Sequence, residues 1–94
     1  MEGYYIVRAN GAGVFAGNIK SREGREVTMT DARRLYYWSG ATECNWLAMQ
    51  GVKKPGSCKF TIPTDEVTLL DVVEFQRCTE QAEASLRGVK TWTV

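Results

Sequence analysis

The sequence predicts an α+β fold: a small, mainly antiparallel sheet, curled or closed into a barrel, of about five or six strands with two short helices. Three observations predict it. Runs of β-branched and aromatic residues are broken repeatedly by Gly, Pro and Asn, as in short strands joined by turns. Two segments, near residues 42–50 and 79–88, carry cap and stop signals of helices. The chain has 94 residues, a one-domain length (1–94), and so short a sheet gains by curling to protect its edges.

Tyr4-Tyr5-Ile6-Val7-Arg8 reads as the first strand, ended by the turn residues Asn10-Gly11-Ala12-Gly13. Val14 to Ser21 resumes as a strand. Glu23-Gly24-Arg25 forms a hairpin loop, with Gly24 free to take positive φ, and Val27 to Thr30 returns. Asp31 breaks the pattern, which suggests a bulge or a tight turn. Ala32 to Trp38 is strand-like and aromatic, and Ser39-Gly40 ends it. Thr42 to Gln50 reads as a helix capped by Thr42 or Ser39 and closed by Gly51. Lys53-Lys54-Pro55-Gly56 is a solvated loop, and Lys59 to Ile62 a short strand stopped by Pro63. Glu66 to Gln76 fits a buried strand with an irregularity at Leu70-Asp71. Thr79 caps a second helix, with Glu80 and Glu83 in its first turn, Arg87 in its last and Gly88 as its stop. Val89 to Val94 reads as a final strand.

Composition excludes several function classes. Apolar residues at 44% and charged residues at 24%, with a net charge of +1, rule out a disordered chain. So small a net charge argues against nucleic acid as a partner held by bulk electrostatics, while leaving room for a local basic patch. No run approaches the roughly 18 apolar residues of a membrane span, so no membrane partner is expected. The N-terminus lacks the basic and apolar regions of a signal peptide. Cys44, Cys58 and Cys78 are odd in number and widely spaced, a poor disulfide framework, so they read as free thiols of a cytoplasmic protein.

Catalysis has little to stand on. Histidine, the commonest general base, is absent. The carboxylates are scattered, and the adjacent pair Asp65-Glu66 reads as a solvated turn. Gly11-Ala12-Gly13 lacks the following helix that a phosphate loop requires. No metal set and no cofactor motif is present, and the expectation is a protein that is not an enzyme.

One segment is chemically richer, Ala32 to Ala41. Strand alternation puts Arg34, Tyr36 and Trp38 on one face, with Arg33, Leu35 and Tyr37 on the other. Arginine can fork onto a phosphate and an aromatic ring can stack on a base. Ser39 and Gly40 add a hydroxyl and accessible backbone donors. The expected ligand-binding residues are therefore Arg33, Arg34, Tyr36, Trp38, Ser39 and Gly40. Arg8, Asn10, Ser21 and Arg22 stand as weaker candidates on neighbouring strands. The competing reading of the stripe is core on one side and surface on the other, or a subunit or partner contact, since Tyr, Trp and Arg are favoured at protein interfaces. Trp46 and Trp92 read as packing residues. A bulge at Asp31 would exchange the two faces.

Val14-Phe15-Ala16-Gly17, Ser21 to Val27, Ala32 to Ala41, Leu47-Ala48, Gly51-Val52-Lys53, Cys58-Lys59-Phe60 and Cys78-Thr79-Glu80 together resemble a family of small tailed-bacteriophage and prophage proteins catalogued as a domain of unknown function. The resemblance spans essentially the whole chain. It implies a phage protein acting in the cytoplasm of an infected bacterial host. Small phage domains of this kind often act by binding, and some are homo-oligomers that sequester a nucleotide immune signal such as a cyclic dinucleotide or cyclic ADP-ribose. The expected function is such a non-enzymatic binding module. The alternative is a protein-interaction module that inhibits or redirects a host protein.

Overall fold

Six strands and two α-helices follow one another in the computed structural model, which describes residues 1–94. Strands β1 (Tyr4–Ala9), β2 (Gly13–Glu23) and β3 (Glu26–Tyr37) form an antiparallel meander. Helix α1 (Cys44–Gln50) and a single 3₁₀ turn, Pro55–Ser57, lead to β4 (Lys59–Phe60). Strands β5 (Thr64–Leu69) and β6 (Val72–Arg77) precede helix α2 (Glu80–Arg87). The sheet runs β4-β3-β2-β1-β6, and β5 shares the outer edge of β3 with β4.

This order forces curvature. β5 and β6 are joined only by Leu70-Asp71, yet they pair with opposite edges of the three-strand meander. The short link draws those edges together. Asn10 N–H donates to the Asp71 carbonyl at 2.8 Å, and Val72 N–H donates to the Arg25 carbonyl at 2.9 Å. No ladder joins β5 to β6, so the sheet is strongly curled but not closed. Of the two shapes expected, the curled sheet is the one found and the barrel is not.

The curl creates two cores on the two faces of the meander. Val7, Phe15, Ile19, Val27, Met29 and Leu69 fill the concave side. Tyr4, Ile6, Leu35, Leu47, Phe60 and Leu86 fill the other side, beneath the helices. β1 is buried on both, so Tyr4 and Ile6 go to the helices while Tyr5 and Val7 go to the curl, as period-two alternation requires. The β2–β3 hairpin turns on Gly24 and Arg25, with positive φ at Gly24 only, the pattern of a II′ turn.

Two bulges in β3 decide which side chains go where. At the first, Gly17 of β2 faces Asp31 and Ala32, and Asp31 takes φ 50°. A side chain at Gly17 would stand 2.7 Å from the Ala32 Cα, so only glycine fits there. Val27 and Met29 point into the curl before this bulge, whereas Arg33 and Leu35 point to the helices after it. At the second, Tyr36 and Tyr37 together oppose Lys59, and both tyrosines are exposed.

Ala32–Tyr37 is thus the second half of β3, which ends before Trp38. Helix α1 is capped by Glu43, whose carboxylate accepts from Asn45 N–H at 2.7 Å, and not by Thr42 or Ser39. α2 is capped by Thr79, as expected, and Gly88 ends it in a right-handed rather than left-handed conformation. The final strand expected over Val89–Val94 is reduced to one parallel bridge, Thr91 to Phe60.

Candidate functional site

Arg33 is 4% exposed and is the one buried charged residue. The first bulge turns it toward the helices, where its guanidinium donates to four carbonyls. These are Val89 at 2.8 Å, Leu86 and Thr61 at 3.2 Å, and Phe60 at 3.5 Å. Two of these belong to the end of α2, where carbonyls lack helical partners, so Arg33 caps the helix from the sheet. Burial lowers its pKa, opposed by the nearby Tyr4 and Asp31. Its donors face inward, away from any surface ligand.

Arg34 goes the other way. It is exposed, and its guanidinium lies over the Phe15 ring, 4.8 Å from the centroid. Tyr36, 63% exposed, stacks on Trp92 with centroids 4.9 Å apart and planes 21° from parallel. Trp92 is held there because its backbone N–H donates to the Phe60 carbonyl beside the Thr91 bridge. Lys59 Nζ lies 5.4 Å from the centre of the Trp92 ring. Beside this pair is an open hollow of about 420 Å³, lined by Pro55, Gly56, Cys58, Lys90 and Trp92 among others.

The rest of the stripe supports this end of the molecule from beneath. Trp38, beyond the second bulge, packs on the helix-side core instead of sharing a face with Tyr36. The Ser39 carbonyl accepts from the Cys58 thiol at 3.7 Å. Gly40, at φ 81°, accepts from Lys53 N–H, and any side chain there would strike the Lys53–Lys54 backbone. The weaker candidates lie elsewhere. Arg8 is paired with Glu74 at 2.6 Å, and Asn10 with Asp71. Arg22 covers Phe75 at 5.4 Å in a second hollow of about 370 Å³ near the hairpin tip. Ser21 is exposed on β2.

Trp92, Lys59 and Lys90 are the residues of this end that strand alternation did not single out. A signal for the two lysines was present in the charge pattern. Residues 32–42, 44–64 and 84–94 hold seven of the twelve cations and none of the eleven carboxylates. These three segments meet here. Arg33 is buried, and Arg87 is held by Asp31 at 2.6 Å and Glu83 at 2.8 Å. Arg34, Lys53, Lys54, Lys59 and Lys90 remain, none paired with a carboxylate.

Two of the three thiols are shielded by burial. Burial pushes Cys78 up to about 12 and also raises Cys44, so both stay protonated near neutrality. No three acidic or thiol side chains converge anywhere in the chain.

A family model described as Domain of unknown function (DUF6948) matches residues 2–86. No curated protein and no solved structure matches.

Proposed function

Because the chain belongs to the family described as Domain of unknown function (DUF6948), whose description assigns no activity, we propose from the geometry that it is a non-enzymatic module that captures a nucleotide-type ligand on the Tyr36–Trp92 platform. One observation carries this reading: two stacked, exposed aromatic rings with Lys59 over one of them and Lys90 in the adjoining hollow. An exposed ring offers a face to a base, and ammonium groups at its margin suit a phosphate. The hollow, at about 420 Å³, is in the size range of small-molecule sites.

The resemblance to small tailed-phage and prophage proteins supports a phage origin and, with it, capture of a host immune nucleotide by a cytoplasmic homo-oligomer. Calorimetry with a panel of cyclic dinucleotides, cyclic ADP-ribose and mononucleotides tests the reading. The protein is first unfolded and refolded to strip any carried ligand. Binding of at least one compound is expected, weakened tenfold or more in Tyr36→Ala, with the compound recovered intact by chromatography. No heat from any compound would remove this reading, and turnover would make the protein an enzyme.

A second reading, a module that binds a host protein, draws support from the exposure of Ile62 at 70% and Tyr37 at 53% close to the same platform. Co-purification of a stoichiometric host protein, released by Tyr37→Ser with Ile62→Ser, is its expected signature.

A further inference from the structure

We infer that the platform end also accepts a single-stranded polynucleotide, an inference that rests on the reading of Tyr36 and Trp92 as a base-stacking surface. The net charge of +1 conceals a polarised molecule. Seven exposed Lys or Arg side chains lack a carboxylate partner, and five of them, Arg34, Lys53, Lys54, Lys59 and Lys90, belong to the three acid-free segments that meet at the platform, with Arg22 and Arg77 elsewhere.

Charge matching favours a strand. A phosphomonoester carries about two negative charges at neutral pH, so a mononucleotide would leave most of these cations unmatched. A strand supplies one charge per phosphodiester along its length. The cations are also spread out. Arg34 precedes Tyr36 by two strand residues, about 7 Å. Lys59 lies across the second bulge, Lys90 on the C-terminal segment, and Lys53 and Lys54 where the backbone passes Gly40. The hollow opens to solvent beside the stacked rings, so a chain longer than one nucleotide can continue past it. Aromatic stacking inside a basic surface is how proteins hold single strands without reading sequence. A duplex hides its base faces and offers Tyr36 nothing to stack on.

Anisotropy titrations with labelled dT12, U12 and a 12-base-pair duplex, at 50 to 200 mM salt, test this. Both single strands, or one of them, are expected to bind at least tenfold more tightly than the duplex. DNA or RNA is identified by which of dT12 and U12 binds tighter. The logarithm of affinity should fall against log salt with a slope of about −2 to −3.5, for three to five phosphates engaged. Lys59→Ala and Lys90→Ala should each make that slope shallower by about 0.7. Tyr36→Ala should weaken binding about tenfold with the slope unchanged, circular dichroism confirming its fold. No binding of either strand, or equal binding of the duplex, overturns the inference. If small nucleotides bind and strands do not, the inference falls and the proposed function stands. If strands bind and no small nucleotide does, the inference stands and capture of a signal nucleotide falls.

Discussion

Arg33 and Arg34 are neighbours with opposite fates, and the difference is local. One residue of phase separates them, and the bulge at Asp31 sends Arg33 among carbonyls and Arg34 to the surface. Replacing Arg33 with Met should cost about 3–5 kcal/mol, because the carbonyls of Val89, Leu86 and Thr61 lose a charged, buried donor. Arg33→Lys should cost less but not be neutral, since an ammonium cannot fork to carbonyls on both β4 and α2. Arg34→Met should cost under about 1 kcal/mol, as exposed replacements do. Urea unfolding of the three variants checks this order. Tyr4 and Cys78 predict a pH dependence. Burial raises Tyr4 from 10.0, and Cys78 from 9.0, each to about 12. The folded chain therefore keeps protons that the unfolded chain releases first. Their contribution is whole below pH 9.0 and is lost as pH rises toward about 12. Urea midpoints should fall across that window, and Tyr4→Phe should flatten the part above 10.0.

Among the elements, β3 carries the most. It pairs with three other strands, and its two bulges change the phase of its side chains twice. Asp31 joins the first bulge to α2 through Arg87, which lies over the Tyr4 ring at 4.4 Å. Burial opposes the Arg87 charge, but hydrogen bonds to Asp31 and Glu83 outweigh it and raise its pKa. Asp31 also bears the one positive φ outside glycine. Asp31→Ala should be less stable than Asp31→Gly by about 1 kcal/mol, since both lose the Arg87 pair but only alanine keeps the left-handed strain. Gly17→Ala should cost about 1–3 kcal/mol, because the new methyl meets the Ala32 backbone. Thermal melts of the three variants test both statements. Helix α2 was legible in the sequence because its caps are local chemistry. The cap of α1 was not, since Glu43, Thr42 and Ser39 all offer acceptors and only backbone geometry chooses Glu43.

Over the whole molecule, stability should be graded. β1 is buried on both faces and paired on both edges, whereas the segment after Val89 is tied by the Thr91 bridge and the Trp92 amide. Amide exchange should therefore be slowest at Ile6 and Val7 and at least a hundredfold faster at Thr93 and Val94, as mass-resolved exchange would show. Charge is graded too: residues 32–42, 44–64 and 84–94 hold no carboxylate, so a chain near neutrality presents one basic end.

By itself the sequence determined the α+β class, the β2–β3 turn at Gly24, and α2 with its Thr79 cap. Each follows from propensity, glycine conformation or capping, which act over a few residues. Only the tertiary structure decided that the sheet curls without closing, since that depends on β5 and β6 reaching opposite edges across a two-residue link. It alone also made Arg33 a helix cap, set Trp38 against the helix-side core and brought Trp92 onto Tyr36. Side-chain direction along a strand has period two, so one extra residue at a bulge reverses everything beyond it, and no local preference records that reversal.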